Sequence, residues 1–179
     1  MRLLRTASFL LVASAGLPVL AWAEFRSVSV AGRVSFDAGT VFVPGVAKGI
    51  GGGVGLRVAF GDNRGEWVLG VDGDIAGFVG AGDGDPILQL AGSFSRRGFF
   101  GDDGGTRRFW VVGAGAGLVG IAGPGTAFPL KVGLGVALGE RGGLDVMVFN
   151  RFTSIYGGGD PAFDFINSTG VELALRLGR

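Results

Sequence analysis

The chain has 179 residues, with 16 Lys and Arg against 15 Asp and Glu and no histidine or cysteine. This near-neutral balance gives no argument for a nucleic-acid partner. The missing histidines exclude Ser-His and Cys-His nucleophile pairs and histidine metal sites, and the missing cysteines exclude disulfide staples.

Residues 1–23 read as a secretory signal peptide. Arg2 and Arg5 form a basic start, residues 9–20 a short apolar run, and Ala21-Trp22-Ala23 an A-x-A cleavage site. The run is too short to span a membrane comfortably. Cleavage would leave 156 residues (179 less 23), one domain's worth, beginning at Glu24. The 16 bases less Arg2 and Arg5 leave 14 against 15 acids.

From there the chain alternates. Val28, Val30, Val34 and Phe36 lie on one face of a first strand, opposite Ser27, Ser29, Ala31, Arg33 and Ser35. A connection is expected around residues 44–51. Val54, Leu56, Val58 and Phe60 then alternate with Gly55, Arg57 and Ala59, and residues 61–65 have the composition of a tight turn. Trp67, Leu69, Val71 and Ile75 oppose Gly70, Asp72 and Asp74 in a third strand, followed by a loop over residues 80–86. In the fourth, Leu88, Leu90 and Phe94 oppose Gln89, Ala91, Ser93 and Ser95, up to a second tight turn at residues 101–106. In the fifth, Trp110, Val112, Ala114, Ala116 and Leu118 face Gly113, Gly115 and Gly117. A short loop then holds Pro124.

The sixth strand carries the pattern most strictly. Leu130, Val132, Leu134, Val136 and Leu138 alternate with Lys131, Gly133, Gly135 and Ala137. A face of glycine and alanine suits the cramped interior of a narrow closed barrel, and the Leu/Val face then suits lipid. After a turn at residues 139–143, Leu144, Val146 and Val148 oppose Asp145, Met147, Phe149 and Arg151. A loop over residues 156–163 leads to a last strand, where Val171, Leu173, Leu175 and Leu177 alternate with Glu172, Ala174 and Arg176.

The expectation is an all-β fold: an eight-stranded antiparallel transmembrane β-barrel over residues 24–179, in the bacterial outer membrane. Strands near the ~9–11 residues that cross a bilayer are expected. The short turns after even strands would be periplasmic, the other connections mostly extracellular. Trp67, Trp110 and Leu144 fall just after the short turns, and the tryptophans suit an interfacial belt. A barrel of this size has an interior filled by side chains. Arg33, Arg57, Lys131, Arg151 and Arg176 should therefore pair with Asp72, Asp74, Asp145 and Glu172 as a closed plug.

Two motifs are weaker than they look. The stretch Gly115-Ala-Gly117-Leu-Val-Gly120 matches a dinucleotide fingerprint, but Pro124 and another strand follow where a helix would have to open. Asp72-Gly73-Asp74 and Gly82-Asp83-Gly84-Asp85 resemble calcium loops but lack a properly spaced bidentate Glu, so solvated turns are the plainer reading. No cofactor or metal is expected. By parity from Leu144, Val146 and Val148, the side chains of Asn150, Phe152 and Ser154 point outward, where the apolar face turns polar. A polar cluster facing lipid is a candidate site; the bland alternative is that the strand leaves the hydrocarbon there.

At these residues the chain resembles the outer-membrane lipid A 3-O-deacylases, the PagL or acyloxyacyl-hydrolase-like barrels, most clearly over residues 109–177. Trp110-Val-Val-Gly-Ala-Gly-Ala-Gly-Leu is similar to that family's fifth strand. Gly125-Thr-Ala-Phe-Pro-Leu-Lys-Val-Gly-Leu-Gly-Val is similar to its sixth. The family's seventh strand ends in a His-x-Ser-Asn signature before a Gly-, Asn- and Pro-rich loop. Here that signature reads Phe152-Thr153-Ser154-Ile155, with Pro161 and Phe165-Ile166-Asn167 where the loop and last strand would be.

The resemblance implies a serine nucleophile at Ser154, with Phe152 where its base should stand. A serine hydroxyl needs an adjacent base to attack an ester. One reading is a degenerate relative that binds lipid A or serves as a structural barrel. The other is an active lipid A acyl-ester hydrolase using Ser154 with Asp160 or Asp164 as an unusual base. A small adhesin barrel is a third reading, disfavoured by short loops. The implied partner is outer-membrane lipid, including lipid A; the sequence assigns no oligomeric state.

Overall fold

A computed structural model describes residues 24–40, 46–61, 64–79, 86–103, 106–120, 124–139, 143–156 and 165–177. The expected signal peptide, the Gly82–Asp85 loop, Asp160, Asp164 and Pro161 lie outside them. The described chain forms eight strands: β1 (Phe25–Thr40), β2 (Val46–Gly61), β3 (Gly65–Val79), β4 (Ile87–Asp103), β5 (Thr106–Gly120), β6 (Pro124–Leu138), β7 (Leu144–Tyr156) and β8 (Phe165–Leu177). Each pairs antiparallel with its sequence neighbour, and β8 pairs with β1 from Val28↔Leu177 to Thr40↔Phe165. The sheet closes as a barrel in simple sequence order. Closure answers the backbone polar groups that an open edge would leave unpaired.

The strands are 13–17 residues long, longer than the crossing length alone requires. Hairpin partners go on pairing past the apolar band. Three boundaries differ from the sequence reading in this way, the first being Pro124, which is expected in a loop and instead opens β6 opposite Gly120. Residues 46–51, expected as connection, belong to β2, where Gly49, Gly51, Gly52 and Gly53 pair with Asp37, Ser35, Val34 and Arg33. The second turn is shorter than residues 101–106. β4 runs to Asp103 through a register shift between Phe100 and Asp102, with Gly101 at φ 68° in the bulge. A left-handed glycine is the usual residue for a bulge of this type.

The alternation sorts side chains as expected. Phe36, Val54 and Leu134 are 74%, 66% and 64% exposed on the outer wall. The buried residues include Arg33, Arg57, Asp72, Arg97, Asp145 and Glu172. An apolar exterior around a charged interior inverts the soluble pattern and matches a barrel whose outer solvent is hydrocarbon. The apolar filling of the lumen centres on Phe109, Val111, Ala137, Met147 and Phe149, with Phe99 packed against it. A second group, Ile87, Val119, Ala127, Ile155 and Ile166, is buried toward the end with the longer connections.

The inward glycines provide volume for this filling. A Cβ at Gly133 would stand 2.6 Å from the Met147 sulfur, and one at Gly53 would stand 2.9 Å from Arg33 Nε. The small face seen in the sequence is therefore the space into which large aromatic and charged side chains reach from opposite strands.

Candidate functional site

Two regions carry polar groups in unusual places: the lumen, and the outer face of β7 and β8. In the lumen β8 contributes Glu172, whose carboxylate accepts from both terminal nitrogens of Arg57 on β2. It also accepts from Lys131 Nζ on β6 at 2.6 Å. Arg33 on β1 donates to Asp72 at 2.8 Å and to Asp74, and Arg151 on β7 also binds Asp74. Ser93 donates to the other oxygen of Asp72 at 3.1 Å. One ion network thus ties β1, β2, β3, β6, β7 and β8 together across the barrel.

Every charge named for the plug in the sequence reading is in the lumen and ion-paired. Arg176 lies 2.9 Å from Asp145. Asp72-Gly73-Asp74, expected as a solvated turn, lies within β3 instead, and its two carboxylates point into the lumen, held by guanidinium groups of Arg33, Arg57 and Arg151. Sequence reasoning missed Arg97, which is 2.8 Å from Asp145 and stacks 4.5 Å from the Phe109 ring centre. It also missed Glu66, 3.5 Å from Arg97. Parity could have found both: Arg97 continues the inward run Ser93, Ser95, and Glu66 precedes the outward Trp67. The space left beside Arg57, Lys131 and Phe149 is a cavity of about 40 Å³. A few waters would fill it.

The stretch Gly115–Gly120 lies wholly within β5. Its backbone is committed to β4 and β6 from Gly117↔Ala127 to Gly120↔Pro124, so it offers no loop to hold a phosphate.

On the outer wall, Thr153 and Ile155 are buried at 1% and 7%, so Ser154 between them faces out. Register places it level with Phe128 on β6 and Phe165 on β8. Along its own strand the outward neighbours are Phe152 and Tyr156. These four rings pair around the serine: Phe128 with Tyr156 at 5.7 Å edge to face, and Phe152 with Phe165 at 5.1 Å stacked. Among the described residues no group hydrogen-bonds to the Ser154 hydroxyl, and no carboxylate shares its face. Among the described residues the serine therefore sits in an aromatic frame without a proton acceptor, and Ile155 points into the lumen instead of toward it.

One step further down the same face is a group that the sequence reading only half saw. Asn150 Nδ2 donates to Asn167 Oδ1 at 2.7 Å and to Thr169 Oγ1 at 2.9 Å across the β7–β8 seam. Register brings them together, Asn150 opposite Thr169 and Phe152 opposite Asn167. The Asn167 amide hydrogens and the Thr169 hydroxyl hydrogen keep donor capacity beyond these bonds. The site that the fold assembles is thus an aromatic frame holding Ser154, bordered by an amide and hydroxyl cluster.

No family model matches the chain, and no curated protein matches it in sequence. Among solved structures, the crystal structure of the outer membrane enzyme PagL is similar, with a TM-score of 0.56, 18% identity, and coverage of 81% of this chain and 99% of that one. The crystal structure of Neisserial surface protein A is similar as well, with a TM-score of 0.55, 14% identity, and coverage of 84% and 97%. At these identities the likeness establishes the fold: an eight-stranded barrel of the kind found in outer-membrane proteins.

Proposed function

We propose that this protein is an exported bacterial outer-membrane barrel that binds lipid A at the outer face of β7 and β8 without hydrolysing it. Its short turns would face the periplasm and its longer connections the exterior. The observation that carries the reading is the frame of Phe128, Phe152, Tyr156 and Phe165 around Ser154, beside Asn150, Asn167 and Thr169. Rings offer a flat apolar surface to acyl chains. The spare amide and hydroxyl donors suit the ester carbonyls and hydroxyls of an acylated sugar lipid, which find few partners in hydrocarbon. The resemblance to lipid A deacylases over residues 109–177 supports the choice of lipid.

Hydrolysis fails in this reading because the proton has nowhere to go. Phe152 cannot accept it, and a missing general base typically costs ~10²–10⁴-fold. The competing reading, an active ester hydrolase, draws on the outward aim of Ser154. It requires Asp160 or Asp164 to come within about 3 Å of the hydroxyl. Mass spectrometry of lipid A from cells with and without the protein separates the two. Unchanged acylation, with lipid A retained on the purified barrel, is expected. Loss of one ester-linked chain on expression, absent with Ser154→Ala, would establish the hydrolase.

A further inference from the structure

The opposite end of the outer wall carries a second built surface. Trp67 on β3 stacks on Phe94 of β4, with centroids 4.9 Å apart and planes 5° from parallel. The Arg96 guanidinium lies 5.0 Å from the Trp67 ring centre. Two glycines form the floor. A Cβ at Gly65 would stand 2.6 Å from Arg96 Nη2, and a Cβ at Gly98 would collide with the Trp110 indole. Trp67 is therefore flanked by a laid-down arginine, and Trp110 lies flat on the next strand pair.

Arg96 differs from its neighbour Arg97. Arg97 is buried and paired with Asp145 and Glu66. Among the described residues Arg96 has no carboxylate partner; its guanidinium lies against the Trp67 ring on the half-buried outer face. A guanidinium offers a planar fork of donors that matches two phosphate oxygens, and stacking reduces the side-chain freedom lost on binding. The location matters too. Trp67 and Trp110 lie close to the short-turn ends of β3 and β5, the level at which indoles sit among lipid headgroups.

We infer that Trp67, Arg96 and Trp110 form a headgroup site for an anionic phospholipid in the leaflet at the short-turn end. Arg96 takes the phosphate, and Phe94 and Trp110 take the first segments of the acyl chains. Charge complementarity selects the occupant: a zwitterionic headgroup brings its own cation toward Arg96, and a net-anionic one does not. The site shares only the membrane setting with the proposed lipid A surface. Its residues, ligand and leaflet are separate, so either can fail alone.

Tryptophan fluorescence gives a direct test, because the chain has three tryptophans, Trp22, Trp67 and Trp110. Trp22→Phe leaves both reporters in the site. This full-length variant would be folded into phosphatidylcholine vesicles containing small, equal fractions of either brominated phosphatidylglycerol or brominated phosphatidylcholine. Stronger quenching by the brominated phosphatidylglycerol is expected, corresponding to about a fivefold preference. The preference should fall to about one in Arg96→Gln and stay intermediate in Arg96→Lys, which keeps the charge and loses the fork. Millimolar inorganic phosphate should leave it intact. Equal quenching by the two lipids, a preference that survives Arg96→Gln, or its abolition by inorganic phosphate would each overturn the assignment. The gel shift of folded barrel on heating checks that the variants are folded, so a lost preference reports the site.

Discussion

The lumen and the β7–β8 outer face both place polar side chains where water is scarce, and they treat them differently. Inside, Glu172 meets Arg57 and Lys131, Asp74 meets Arg33 and Arg151, and Asp145 meets Arg97 and Arg176. Outside, Asn150, Asn167 and Thr169 bond to one another and keep spare donors, and Ser154 has no described partner. A buried charge is tolerable only with compensating partners, and each of these lumen charges has an opposite charge beside it. Neutral amides and hydroxyls cost less to leave partly satisfied. They can therefore stand on the outer wall without charged partners. The interior polar residues bridge strands across the lumen, and the exterior ones form a neutral cluster on the outer face of β7 and β8.

The largest expected effect comes from breaking the lumen. Glu172→Ala leaves Arg57 and Lys131 buried without their shared carboxylate. It should cost about 3–5 kcal/mol of stability in urea unfolding from vesicles. The unaltered barrel should show little conductance in planar bilayers, and Glu172→Ala should show more. A stable large open state in the unaltered protein would refute the plug.

Next comes a charge on the outer wall. Val132→Arg, near the middle of β6, should cost about 2–4 kcal/mol if that surface meets the bilayer midplane. Spin labels at residues 134 and 136 should report lipid, and one at 131 should not. A neutral effect of Val132→Arg, with labels in a dry protein core, would remove the membrane reading.

A smaller effect sharpens the contrast. Asn150→Leu removes the donor that ties the outer cluster together, in a place where leucine also suits lipid. Its stability should stay within about 0.5 kcal/mol of the unaltered protein, with lipid A retention reduced several-fold. Strong destabilisation with unchanged retention would make the cluster structural.

Much of the barrel was legible because period two survives wherever large and small residues alternate. The residues from Leu130 to Leu138 fixed inside and outside for β6, and the same parity placed Ser154 on the outer wall. The pattern failed at residues 46–51, where Gly49 and Gly51 supply no side chain to alternate although the backbone goes on pairing with β1. It failed again at Gly101, where a bulge carries β4 beyond the apparent turn. The Asn150–Asn167–Thr169 group depends on register between strands, which composition and spacing do not encode. Glu172 could be assigned to the lumen by parity, but its choice of Arg57 and Lys131 as partners needed the closed barrel.

The central claim, that the β7–β8 face holds lipid A and leaves its esters intact, is tested most directly with purified barrel and lipid A. The protein and lipid would be incubated together, bound lipid measured by native mass spectrometry, and released fatty acid counted in the same sample. The account predicts intact lipid A on the folded protein, negligible fatty acid, and no change in that background with Ser154→Ala. Robust release by the unaltered protein, abolished by Ser154→Ala, would contradict it.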